Sequence, residues 1–217
     1  MPFHTYVFFD VLPSIQSMSP AKRRAAIAAS VAQCNTNTHV RLQVYGTLGF
    51  KAGTRFMLHL SSTEARYIQE YIRDFLHTGI GIHLTLPYSY SGMRRASPYN
   101  PKGTLSDEPV MKGAYLIVYP FVKTIQWHLL PLPERSRIMK DHVGVGKKYN
   151  HNIEQQLLYS YGLDDQEFIV AYATDSLLDF QSLVMELRGT EGRAHTERDT
   201  PIFLCTHLSL SEALNLV

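Results

Sequence analysis

Four side chains between positions 114 and 175 have the types and spacing that chemistry needs: Tyr119, Lys123, His142 and Gln155. A phenol can give up a hydrogen atom, and an ammonium can hold a carboxylate. An imidazole can ligate a metal or move a proton, and an amide can hydrogen-bond without carrying charge. Each of the four falls on the apolar face of an amphipathic segment. Residues 114–123 alternate, with Tyr115, Ile117, Tyr119, Phe121 and Lys123 on one face and Ala114, Leu116 and Val118 on the other. Tyr119 and Lys123 therefore stand on one strand face, about 13 Å apart along the chain. Pro120 suits a strand end or an edge. In the helix that follows, Ile138, Met139, His142, Val145 and Tyr149 recur at helical spacing and share a face. In the strand at 153–161, Gln155 shares a face with Ile153, Leu157 and Tyr159. The pattern predicts that the four point into one cavity. Each has a plainer alternative: a hydrogen-bonded core histidine, a core tyrosine, a lysine reaching to water, a glutamine on a solvated edge. The residues alone leave both readings open.

The elements that must position them repeat. Residues 4–12 read as a strand, 21–33 as a helix capped by Ser19 with Pro20 in its first turn, and 40–47 and 55–60 as strands. A helix to about residue 76 presents Ile68, Tyr71, Ile72 and Phe75, and 83–90 reads as a strand. The second half repeats this order: strand 114–123, helix 134–149, strands 153–161 and 167–173, helix 176–187 and strand 202–208, with a short helix at 209–215. Strand-helix-strand-strand-helix-strand, twice, predicts an α+β fold of duplicated ferredoxin-like halves (βαββαβ twice), able to close into an α+β barrel that hides its edges. The expected divisions are an N-terminal half at 1–92, a linker loop at 93–112 and a C-terminal half at 113–217. The linker follows Gly92, holds Pro98, Asn100, Pro101, Gly103 and Pro109 and carries Arg94, Arg95 and Lys102. It reads either as a solvated connector or as a lid that brings cations to an anionic ligand.

These residues carry a family resemblance. The chain resembles the chlorite dismutase-like haem proteins, most closely their coproheme decarboxylase branch. The matching text is Tyr119-Pro-Phe-Val-Lys123, then Trp127 with Leu129-Leu130-Pro131, then Arg135 to His142. It continues with Ser160-Tyr-Gly-Leu-Asp-Asp-Gln-Glu-Phe168, Leu183-Val-Met-Glu-Leu-Arg188 and Asp199-Thr-Pro-Ile-Phe203. The match is dense over the C-terminal half and architectural before it. The resemblance implies a haem-binding C-terminal half with His142 as the axial iron ligand and Glu191 as the acid behind it. It implies Tyr119 as the redox tyrosine, Gln155 as the residue on the opposite side of the ring, and Lys123 and Trp127 as propionate contacts. Chlorite dismutases carry an arginine at the position of Gln155. Two departures stand out: His128 follows Trp127 where the branch has tyrosine, and Arg193 and His195 replace a serine and an Arg-Tyr pair.

The activity this implies is oxidative decarboxylation of two propionates of iron coproporphyrin III (coproheme) by hydrogen peroxide, giving haem b. The alternatives are a chlorite dismutase or peroxidase-like haem enzyme on the same fold, and a non-catalytic haem-binding module. A homopentamer and a partnership with ferrochelatase are also what the resemblance implies. Composition agrees with a globular protein: 217 residues, 18% charged, 45% hydrophobic, net charge +2. That balance points away from nucleic acid and membrane surfaces. Cys34 and Cys205 have no metal-site spacing, and a reducing cytoplasm is expected. Nothing in 1–12 reads as a signal peptide, and no apolar run is long enough to span a membrane. Gly144-Val-Gly146-Lys147 sits late in a helix and lacks phosphate-loop context, and Asp164-Asp165 after Gly162 reads as a turn.

Overall fold

The computed structural model describes residues 2–99 and 112–217, so Lys102 lies outside the described residues. In chain order the elements are β1 (Phe3–Val11), α1 (Pro20–Cys34), β2 (Arg41–Gly46), β3 (Phe56–Ser62), α2 (Ala65–Leu76) and β4 (Leu84–Met93). Then come β5 (Tyr115–Lys123), α3 (Ile125–Leu129), α4 (Leu132–Lys147), β6 (Ile153–Tyr159), β7 (Phe168–Thr174), α5 (Leu177–Arg188), β8 (Thr196–Arg198), β9 (Phe203–Leu208) and α6 (Leu210–Leu214). They form two units, Met1–Met93 with Phe203–Val217, and Arg94–Ile202. The class is α+β, with the duplicated ferredoxin-like plan. None of the described helices is long and apolar enough to cross a membrane.

In the first unit the strands run β4-β1-β3-β2-β9, each antiparallel to its neighbour. The alternation in β1 sends Val7 and Phe9 to one face, where Ile27 of α1, Ile68, Tyr71 and Phe75 of α2 and Leu214 of α6 complete a buried cluster. Phe9 stacks on Phe56 at 5.0 Å and meets the edge of Phe75 at 5.4 Å. Truncating such a residue to alanine costs about 3–5 kcal/mol. The other face holds a buried polar chain: His4 Nδ1 lies 3.0 Å from His59 Nε2, and His59 Nδ1 lies 3.1 Å from Gln43 Oε1. Ser19 caps α1 by accepting the Lys22 N–H. The chain's last residues are tied in by arginines: Arg23 donates to the Val217 carbonyl at 3.2 Å and Arg55 to that of Leu216 at 2.9 Å.

In the second unit the strands run β6-β7-β5-β8, again antiparallel. The register sets four cross-strand rows on one face: Ile153, Thr174 and Tyr115; Gln155, Tyr172 and Ile117; Leu157, Val170 and Tyr119; Tyr159, Phe168 and Phe121. Val145 of α4, Tyr149 just beyond it, and Phe180, Leu183 and Leu187 of α5 pack over that face. Pro120 lies inside β5, opposite Ile169, and not at a strand end. Three short pieces depart from the sequence pattern: α3, β8 and a 3-10 turn at Glu191–His195. Each is five residues or fewer, too short for periodicity to show.

Candidate functional site

The site is built on the helix-covered face of the second unit. Tyr119 and Gln155 are both on it, in adjacent rows. The Tyr119 hydroxyl hydrogen-bonds to Tyr172, with the rings 6.3 Å apart. Burial raises the Tyr119 phenol well above its ordinary value, and Tyr172 and Asp199 push it the same way. Tyr172 is raised to about 12, chiefly by burial. The phenol thus stays protonated across the physiological range, as a hydrogen-atom donor must. Gln155 is exposed, whereas its neighbour Gln156 is buried on the opposite face.

His142 is half-buried on α4, one turn after the buried Ile138. Burial lowers its pKa, and the charge of Lys123 lowers it further. A neutral imidazole is the form that ligates iron. The 3-10 turn closes against this ring: a Cβ built on Gly192 would stand 3.6 Å from His142 Nδ1, ordinary contact distance. The turn therefore lies against the Nδ1 side of the ring. Glu191, which opens the turn, accepts hydrogen bonds from the Arg137 guanidinium at 2.8 and 2.9 Å.

Lys123 ends β5. Its ammonium lies 4.4 Å from the centre of the buried Trp127 ring and 5.2 Å from that of Phe121. Burial pulls its pKa from 10.5 down to about 8, with Glu167 opposing the shift. A lysine kept partly dry and charged is suited to an incoming carboxylate. Trp127 is positioned by Thr124, whose side chain accepts the Trp127 N–H at the start of α3. Its other neighbours are Tyr99, at 6.2 Å, and His195, at 5.4 Å. The departures in the family text have definite partners. Arg193 pairs with Asp199 at 3.0 Å, beside Arg188 at 2.8 Å, and His128 pairs with Glu167 at 2.6 Å.

Sequence reasoning did not single out Tyr172 or Glu167. Tyr172 sits on an alternating strand, so its face was readable, but its pairing with Tyr119 depends on a register that only the sheet supplies. Asp164 and Asp165 are in a turn, with Gly162 at positive φ and the Asp165 N–H on the Asp164 side chain.

A haem suits this donor set. One neutral imidazole on α4 lies near the Lys123 charge, a phenol and an uncharged amide share one face of the sheet, and a half-buried ammonium stands at the strand end. The sequence model of the family described as Chlorite dismutase matches residues 21–208. A coproheme decarboxylase of Mycolicibacterium smegmatis is 28% identical over 176 residues, covering 79% of this chain and 74% of that one. A chlorite dismutase of Ideonella dechloratans is 24% identical over 215 residues, covering 94% and 75%. Among solved structures, a substituted chlorite dismutase of Candidatus Nitrospira defluvii superposes with a TM-score of 0.89 at 24% identity, covering 99% of this chain and 94% of that one. That likeness speaks for the fold alone.

Proposed function

Because the chain belongs to the chlorite dismutase family, a family of haem enzymes, we propose that it is a coproheme decarboxylase. It removes carbon dioxide from two propionates of iron coproporphyrin III with hydrogen peroxide, and leaves vinyl groups and haem b. Each round turns one propionate, one peroxide and one proton into one vinyl group, one carbon dioxide and two waters. Two electrons pass from the propionate to the peroxide.

The observation that carries the reading is the pairing of Tyr119 with an uncharged Gln155 on one sheet face. An arginine at 155 would favour a small oxyanion. An amide hydrogen-bonds peroxide without attracting an anion. When bound, the iron porphyrin supplies the redox reaction with peroxide. The chain's own residues do the rest. His142 would hold the iron through its neutral imidazole. Lys123 holds one propionate by charge, backed by Trp127. Tyr119 gives its phenolic hydrogen and recovers one from the propionate β-carbon, and Tyr172 keeps the hydroxyl aligned between rounds. Burial favours the neutral phenol, the form that carries the hydrogen atom to be given. The same reading includes a cytoplasmic homopentamer that takes its substrate from ferrochelatase. Sedimentation tests the assembly.

The test is Tyr119→Phe, loaded with iron coproporphyrin and treated with peroxide, with the porphyrin then weighed. Binding within twofold of wild type and loss of both decarboxylations is the expected result. Haem b formed at the wild-type rate removes the function.

A further inference from the structure

His128 and Glu167 have no part in that mechanism, yet they are built into its edge. His128 stands where the resembling branch has tyrosine. Its Nε2 lies 2.6 Å from Glu167 Oε1. The other carboxylate oxygen, Oε2, accepts the backbone N–H of Lys123 at 2.7 Å. One carboxylate therefore joins three pieces: α3 through His128, the start of β7 through Glu167 itself, and the end of β5 through Lys123. The register of β5 against β8 shifts between Val122 and Lys123. Such a shift leaves a backbone N–H off the ladder, and Glu167 receives the one from Lys123. His128 is adjacent to Trp127 in α3, so the element that Glu167 grips also carries the ring on which the Lys123 ammonium rests.

The His128 and Glu167 side chains are 36% and 20% exposed. An ion pair this open adds little to stability. What two short hydrogen bonds on one carboxylate do supply is fixed geometry.

We propose that His128 and Glu167 form a clasp that positions Lys123, and the Trp127 ring beneath it, for a carboxylate of the bound porphyrin. The proposal rests on the reading of Lys123 as a propionate contact. Both are positioning residues that act through Lys123. Glu167 also sustains the ammonium against burial by its charge.

The experiment is a fluorescence titration with metal-free coproporphyrin, which has four carboxylates and needs neither iron ligation nor turnover. His128→Phe removes the donor, His128→Gln keeps one, and Glu167→Gln keeps an acceptor for the Lys123 N–H without the charge. Each is made in the wild-type and in the Lys123→Met background, with folding checked by circular dichroism. In the wild-type background His128→Phe should weaken binding about tenfold, the worth of a charge-assisted hydrogen bond, and His128→Gln should restore it to within about threefold. In the Lys123→Met background His128→Phe should change binding by less than about twofold, because residues that act through one contact are not additive. An undiminished loss in the Lys123→Met background, or no loss in the wild type, overturns the clasp. If the wild-type protein does not bind the porphyrin, the proposed function falls together with the clasp. If it binds but peroxide yields no haem b, the decarboxylase reading falls while the clasp is judged on the titration alone.

Discussion

Replacing Lys123 with methionine should stabilise the ligand-free protein while weakening its hold on a tetracarboxylate porphyrin. Burial lowers the Lys123 pKa from 10.5 to about 8. At 1.36 kcal/mol per unit, the charged form costs about 3 kcal/mol in the folded state. Methionine keeps most of the stem volume and sheds the charge. It also gives up the ammonium–indole contact, worth about 1 kcal/mol. The net gain is about 2 kcal/mol at pH 7, or a rise in Tm of roughly 4–8 °C for a chain of this length. The sign of the pH dependence follows from the depressed pKa. Between about 8 and 10.5 the unfolded chain binds the proton that the folded protein has lost, so wild-type stability rises through that window. The advantage of the variant is complete below about pH 8 and gone above about 10.5. Trp127 is the only tryptophan and sits 4.4 Å from the ammonium, so its fluorescence reports urea unfolding from the place that changes. A variant less stable than wild type at pH 7, or a gap as large at pH 10.5 as at pH 7, would refute the reasoning.

Three further outcomes are expected. His142→Ala should keep the fold but weaken haem binding by at least tenfold and shift the Soret band; an unchanged spectrum removes His142 as ligand. With glutamine at 155, oxygen release from chlorite should stay near background, and Gln155→Arg should raise it; rapid release by the wild type reverses the choice between the two enzymes. Gly81→Ala should cost about 2–4 kcal/mol, because the added Cβ would meet the Phe75 carbonyl oxygen at 2.0 Å, and thermal melting should show it.

Periodicity made the two βαββαβ runs readable, and the β4-β1-β3-β2 order of the first unit follows from that plan. It also placed Tyr119 and Gln155 on one sheet face, and His142 on the face of α4 that carries the buried Ile138. Periodicity reports which way a side chain points within its own element. It does not report what meets it. Lys123 and Glu167 are 44 positions apart, and Arg137 and Glu191 are 54 apart; both pairs are made by tertiary packing. Short elements were lost for a related reason. The three residues of β8 have no apolar alternation, and α3 exposes Ile125 and Leu129 where a core-facing helix would bury them. Pro120 inside β5 shows that a residue's usual place can yield to the pairing of a whole strand.

The first unit is interrupted in sequence. Its β9 and α6 follow the whole of Arg94–Ile202, so on the ribosome it cannot be finished until the other unit has been made. At the usual pace of synthesis the wait is on the order of ten seconds. During it the edge of β2 lacks its β9 partner, and Arg23 and Arg55 lack the Val217 and Leu216 carbonyls that later receive them. An open strand edge in a nascent chain invites the wrong partner. The unit that carries Tyr119 and His142 is continuous in sequence, so the pairing of its own strands β6-β7-β5-β8 waits on no residue beyond it.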